Sequence, residues 1–331
     1  MIVVKTPLRL SFVGGGSDLK AFYEQSDGMV ISSTIDKYVF VIVKERFDEK
    51  IYINYSQRER VDSVDEIQHK LVRETMKIAG VEKGIEITTL ADIPSEGSGL
   101  GSSSSITVGL LHALYTYQGT LVSAQHLAEE ACEIEIDLIK KPIGKQDQYA
   151  AAFGGLNHFV FRSNDTIERF SLPMNNGLCR RFSSSTILYY TGLTRSADDI
   201  LFEQQKNIRS QDKYDVMSEM VSLAEPFKKA VIEGDIITCG ELLDKGWHLK
   251  KKLVSGITNF QIDEMYEKAR KAGAIGGKIS GAGAGGFLML IVPRDKQNSV
   301  FEAMKGYREL PFMLEQRGSR VIFDDRGYST K

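Results

Sequence analysis

Two carboxylates and one glycine–serine run are the residues of this chain best suited to chemistry. The run spans Pro94 to Ser105. It follows an alternating segment, Gly84 to Leu90, that predicts a strand, and it precedes an apolar segment, Ile106 to Tyr117, of helix length that stops at Gly119. Gly97, Gly99 and Gly101 allow the backbone to close tightly around an anion. Ser98, Ser102 and Ser103, with Leu100 between them, bring hydroxyls and unpaired N–H groups to the positive end of the following helix. A strand, glycine loop and helix in that order predict a phosphate cradle. A flexible surface loop is the simpler alternative.

The first carboxylate is Glu135. Ser123 to Lys141 predicts a helix on which Glu129, Glu133, Asp137 and Lys140 share a solvated face. The helical neighbours of Glu135 are instead Ala131, Cys132, Leu138 and Ile139, all apolar. A carboxylate on an apolar stripe needs a cation or donors. It either snorkels to water at the helix edge or reaches inward as a metal-ligand oxygen. The second carboxylate, Asp147, follows the break at Lys141-Pro142 and precedes the small residues Ala150 to Ala152. A helix N-cap is its plainest role.

Near the start, Arg9 interrupts an apolar strand, and Gly14, Gly15 and Gly16 turn the chain. Ser17 then caps a short helix, Asp18 to Gln25, whose dipole Asp18 would complement. Arg9 reads equally well as an edge-strand charge. Met29 to Lys44 and Lys50 to Tyr55 predict paired strands, and Asp65 to Ala79 a helix. Leu156 to Phe170 predicts a hairpin with Ser163, Asn164 and Asp165 at its tip. Helical patterns run from Ala197 to about Lys271, with breaks at Gly234 and near Ser255-Gly256. Lys250 to Lys252 read as a solvated basic helix end. A second glycine-dense stretch, Ala272 to Gly286, leads into an apolar strand, Phe287 to Val292. A helix from Gln297 to Glu309 and a strand from Arg320 to Phe323 follow. Early strands with interposed helices predict an α+β class, and a change of character near Pro173 to Leu178 divides the chain into residues 1–180 and 181–331.

The 331 residues carry a net charge of −2 and no dense basic block, which gives no support to nucleic-acid or anionic-membrane binding. The three cysteines are widely spaced and suit a reducing, cytoplasmic setting rather than a disulfide framework or zinc site. Gly97 to Ala128 lacks Asp, Glu, Lys and Arg, but its Ser, Thr and Gly content predicts a buried helix, not a membrane span. Gly281 to Gly286 satisfies the glycine pattern of dinucleotide folds, yet it leads into a strand where that fingerprint demands a helix. A P-loop is excluded because Lys278 is followed by Ile279.

Taken together, Thr6 to Asp18 (TPLRLSFVGGGSD), Ile93 to Ser105 (IPSEGSGLGSSSS) and Gly276 to Phe287 (GGKISGAGAGGF) resemble the GHMP small-molecule kinase superfamily. They occur in that family's order and span nearly the whole chain. The segments Gly144 to Asn157 and Tyr190 to Arg195 resemble its sugar kinases most. The resemblance implies an N-terminal domain like ribosomal protein S5 domain 2, a ferredoxin-like C-terminal domain, and ATP in the cleft between them. Gly97 to Ser103 would wrap the ATP phosphates, while Ser103 and Glu135 would hold Mg2+. Asp147 would be the base for the attacked sugar hydroxyl, with Lys145 holding it ionised. Arg9, Gly16 and Asp18 would line the sugar pocket, and Gly281 and Gly283 would approach it. A substrate with a distal phosphate would need a further cation; Arg195 is the first choice, with Lys5 and Lys37 behind it. A non-catalytic sensor on the same scaffold would lack the base or the metal carboxylate, and both are present. Oligomeric state is not legible.

Overall fold

The computed structural model describes residues 1–94, 97–193 and 197–326. The larger sheet is built on two long, mostly apolar strands, β1 (Ile2–Val13) and β2 (Gly28–Glu45), joined by the shorter β3 (Ile51–Asn54), β4 (Arg58–Val61), β5 (Ile85–Ala91), β6 (Leu156–Phe161) and β7 (Ile167–Ser171). A smaller antiparallel sheet is built from β8 (Thr186–Tyr190), β9 (Gly276–Ile279) and β10 (Phe287–Ile291), with β10 in the middle. The last strands, β11 (Leu314–Glu315) and β12 (Arg320–Asp324), return to the first sheet, where β12 pairs with β1 and β11 with β2. The expected division near residue 180 therefore falls between the two sheets, but the end of the chain crosses back over it.

Twelve helices flank these sheets among the described residues: α1 (Lys20–Tyr23), α2 (Lys70–Ala79), α3 (Ser102–Tyr117), α4 (Ala124–Cys132), α5 (Gln146–Phe153), α6 (Asn176–Ser185), α7 (Ala197–Asn207), α8 (Gln211–Ser222), α9 (Ala224–Glu233), α10 (Ile236–Lys250), α11 (Phe260–Lys271) and α12 (Gln297–Ala303). The mixed α and β class is as the sequence predicts. β1 is buried along almost its whole length because α3 covers it and β2 pairs with it. Its side chains therefore read as a near-continuous apolar run, and Arg9 within it is only 5% exposed. That overturns the edge-strand reading of Arg9. α10 packs on β9 beneath the smaller sheet.

Four local expectations are corrected. β2 and β3 do not pair; β5 lies between them, antiparallel to β2 and parallel to β3. Ser17 caps no helix, because its hydroxyl exchanges hydrogen bonds with the backbone of Met29. α12 stops at Ala303, and the chain at Arg308 to Leu310 instead bonds along β8 as a short extended segment. The helix that carries Glu135 is not a continuous α-helix: α4 ends at Cys132 and Glu133–Leu138 winds as one π-helical turn. A π turn rotates the residues after it relative to α-helical spacing, and such turns recur at functional sites. No helix among the described residues is long and apolar enough to cross a membrane.

Candidate active site

The glycine loop lies between β5 and α3, the strand–loop–helix order that the sequence predicts. Gly97, Gly99 and Gly101 all take left-handed φ angles, 68°, 71° and 76°, and Gly101 precedes the helix without a side-chain cap. The first turn of α3 thus presents backbone N–H groups that no side chain among the described residues caps, at the positive end of a 16-residue helix. The second glycine stretch locks against this loop. A Cβ on Gly99 would run into the Ser280 carbonyl oxygen, and one on Gly281 would stand 2.6 Å from the Gly99 Cα. Only glycines permit so close a backbone approach, so the two loops, 182 positions apart (281 − 99), form one wall.

Behind the loop, Glu135 is fully buried and heavily donated to. Ser103 Oγ lies 2.5 Å from its Oε1, and Ser104 Oγ and Gln148 Nε2 lie 2.6 and 2.8 Å from its Oε2. The Lys141 ammonium is 3.1 Å from Glu135 Oε1 and also donates to Ser103 Oγ. Glu135 therefore points inward and does not snorkel to water, and Ser103 lies beside it. Lys141 is a cation resting on the two oxygens that a hard metal ion would take.

On the other side of the loop, Arg9 reaches Asp147. Its Nε and Nη2 donate to the two carboxylate oxygens at 2.7 and 2.6 Å, and its Nη1 donates to the Gly99 carbonyl at 2.6 Å. This fork fixes both distance and plane. The expected partner of Asp147 was Lys145, which the structure places elsewhere: its ammonium pairs with Asp165 at 2.7 Å and lies near the Tyr23 ring. Asp147 sits in the first turn of α5, but caps nothing.

Asp147 opens onto a small polar cavity. Arg9, Gly16, Asp18 and Gly281 line it, as expected, together with Gln146, Gln204, Lys250 and Lys278. Asp18 accepts from the backbone N–H groups of Gly16 (2.9 Å) and Gln146 (3.2 Å) and from the Gln146 side chain (3.0 Å). Burial, and then the nearby Asp147 charge, raise its pKa above the ordinary aspartate value. Gly283 is not on the cavity wall; it packs against Ile257. Arg195 lies outside the described residues. Lys5 stacks over the Tyr38 ring at 3.6 Å and Lys37 pairs with Asp36, so neither reaches the cavity.

Two cavity residues escaped the sequence reading. Lys250, taken for a solvated helix end, is 5% exposed, and so is Lys278. The triplet of lysines hid Lys250. For Lys278 a signal existed, since a charge within a strand flanked by apolar segments raises the same question as Glu135. Burial, then Arg9, push the Lys250 pKa down to about 8; burial, then Lys250 and Arg9, hold that of Lys278 well below the ordinary lysine range.

A phosphate cradle, a buried carboxylate with a hydroxyl beside it, and an oriented aspartate on a polar cavity are the parts of a phosphoryl-transfer site. The sequence agrees: residues 66–155 match the GHMP kinases N terminal domain and residues 227–309 match the GHMP kinases C terminal domain. The chain belongs to the GHMP kinase family. It is 31% identical over 319 residues to the D-glycero-alpha-D-manno-heptose 7-phosphate kinase of Campylobacter jejuni, covering 92% of this chain and 93% of that one. It is 24% identical to the galactokinase of Pyrococcus furiosus, covering 92% of each chain. Among solved structures, a D-glycero-D-manno-heptose 1-phosphate kinase from Bacteroides thetaiotaomicron superposes with a TM-score of 0.82 at 28% identity, covering 97% of this chain and 98% of that one. As a GHMP kinase, the protein is a phosphotransferase that moves phosphate from ATP to a hydroxyl.

Proposed function

We propose that this GHMP kinase transfers the γ-phosphoryl group of ATP to the anomeric C1 hydroxyl of D-glycero-D-manno-heptose 7-phosphate, giving the 1,7-bisphosphate in the cytoplasm. The observation that carries the reading is the Arg9–Asp147 fork, set where the glycine loop meets the polar cavity. The choice of sugar rests on the 31% relative.

In this reading Gly97 to Ser103 hold the triphosphate by backbone N–H groups, with the α3 dipole behind them. Asp147 accepts the hydrogen bond of the attacking hydroxyl and aims its oxygen at the γ-phosphorus. A general base contributes about 10²–10⁴-fold, and positioning and charge stabilisation supply much of the rest. Arg9 holds the carboxylate in that pose through its bond to the Gly99 carbonyl, so the base and the phosphate loop form one unit. Asp18 and Gln146 take sugar hydroxyls.

Ser103 and Glu135 suit Mg2+: a hydroxyl and a carboxylate oxygen are hard donors, and Mg2+ takes few protein ligands beside phosphate and water. The Lys141 ammonium, already resting on both oxygens, supports this fit. Held there by Ser103 and Glu135, the ion would supply positive charge that neutralises the triphosphate. Lys145, engaged with Asp165, is left the lesser part of long-range attraction.

A coupled ADP-release assay over heptose 7-phosphate, unphosphorylated heptose, fucose and galactose tests the reading. Turnover highest with heptose 7-phosphate is expected. Preference for fucose or galactose would favour the galactokinase-like alternative, and no turnover with any sugar would leave a non-catalytic sensor.

A further inference from the structure

The cavity beside Asp147 carries more positive charge than its own carboxylates answer. Arg9, Lys250 and Lys278 face Asp18 and Asp147, and the Asp147 carboxylate is already taken by the Arg9 fork. Neither lysine has a carboxylate partner among the described residues. Lys278 Nζ donates to the carbonyls of Ser11 (2.9 Å) and Phe12 (3.0 Å), and Lys250 Nζ donates to the Gly281 carbonyl. Carbonyl dipoles orient an ammonium without neutralising it, and burying an unneutralised cation is costly. An ammonium has three protons, so each lysine keeps at least one donor free.

The polar atoms around them are also left waiting. Ser11 Oγ and Gln204 Nε2, which can donate, and Gln146 Oε1, which can accept from a sugar hydroxyl, line the same cavity and have no hydrogen-bond partner among the described residues, though Ser11 and Gln204 are 3% and 1% exposed. Buried polar atoms are nearly always paired, so several orphans around one space mark a missing polar ligand. Its charge must be negative to answer the lysines.

Part of the cavity wall comes from β1. Arg9 marks the Asp147 end, and the Ser11 and Phe12 carbonyls that hold Lys278 lie two to three residues further on. That is about 7–10 Å at strand spacing, comparable to the span from the anomeric oxygen to a phosphate on the last carbon of a sugar. The nucleotide cradle has donors of its own in the first turn of α3.

We propose that Lys250 and Lys278 form the subsite for the distal phosphate of a sugar-phosphate substrate, and so make this kinase select phosphorylated over unphosphorylated sugar. The inference rests on the sugar-kinase reading above. Lys250 comes from the C-terminal end of α10 and Lys278 from β9, so the second half of the chain reads the phosphate while the first half holds Asp147. A bound dianion would also answer the excess charge of Arg9, Lys250 and Lys278.

The test is steady-state kinetics with heptose 7-phosphate and with unphosphorylated heptose, on the wild type and on Lys250→Met, Lys278→Met and Lys250→Arg, each first checked for a cooperative melt and ADP binding. The wild type is expected to favour the phosphorylated sugar. Each Met variant is expected to lower that preference about 10–100-fold, through the KM of the phosphorylated sugar, the range of one or two charge-assisted bonds. Lys250→Arg should retain most of it. Should Lys278→Met not fold, the two Lys250 variants decide. A wild-type preference that survives in the Met variants would overturn the subsite and leave the sugar-kinase reading standing. An equal loss of kcat on both sugars would also overturn it, because the lysines would then act on the transferred group. A wild type indifferent to the distal phosphate would overturn the choice of substrate and the subsite together.

Discussion

Arg9 and Asp147 are 138 positions apart, and they meet through two hydrogen bonds of 2.7 and 2.6 Å while the same guanidinium holds the Gly99 carbonyl. One side chain therefore couples the predicted base to the phosphate loop. Arg9→Met should leave the part-buried carboxylate unpaired, at about 1–3 kcal/mol in stability, and should lower kcat more than it raises the KM for ATP. Arg9→Lys should fall between, since a point charge cannot replace a fork. Thermal melts and initial rates on the three proteins check this ordering. An Arg9→Lys enzyme as fast as the wild type would contradict it.

Gly101 stands directly under that pair. A Cβ there would lie 3.2 Å from Arg9 Cγ and 3.3 Å from Asp147 Oδ2, at a φ of 76°. Gly101→Ala should destabilise by about 1–2 kcal/mol through the left-handed backbone alone, and should depress kcat beyond what the melt explains. Measuring both separates displacement of the pair from general loosening.

Lys141 competes for the oxygens assigned to Mg2+. Lys141→Met should shift the Mg2+ activation curve to lower concentration, while Glu135→Gln and Ser103→Ala should shift it higher. Titrating Mg2+ at fixed ATP checks the opposed directions. A curve unmoved by all three changes would remove the metal from this position.

Lys250 gives a pH signature with a definite sign. Its folded pKa is about 8, pushed down first by burial and then by Arg9, with Asp18 opposing, against 10.5 when free. Below pH 8 both folded and unfolded chains hold the proton. Between about 8 and 10.5 the unfolded chain holds more of it, so stability attributable to this residue rises with pH, by at most about 1.4 kcal/mol per unit. The stability of the wild type relative to Lys250→Met should therefore improve across that window without ligand, as read from denaturant melts. A flat difference would contradict the buried position.

Much of this site's local structure is legible in the sequence. The glycine–serine run announced a cradle because backbone conformation and helix polarity are local properties. Glu135 announced itself by its apolar helical neighbours, even though the π turn that aims it was invisible, since nothing in the spacing marks an extra residue per turn. Lys250 and Lys278 were missed because their burial is tertiary. Lys250 ends a helix beside two more lysines, and its enclosure comes from the loop at Gly281, thirty-one positions on. The partner of Asp147 was misassigned for the same reason: Lys145 was near in sequence, whereas Arg9 is near only after β1 has packed beside α5.

The most direct test of the account is 31P NMR of heptose 7-phosphate and Mg-ATP incubated with the wild type and with Asp147→Asn, alongside ATP-binding titrations of both. The account predicts a new anomeric phosphate signal with the wild type, its rate about 10²–10⁴-fold lower with the variant, and closely similar ATP affinity. Formation of that signal by Asp147→Asn at the wild-type rate would contradict it.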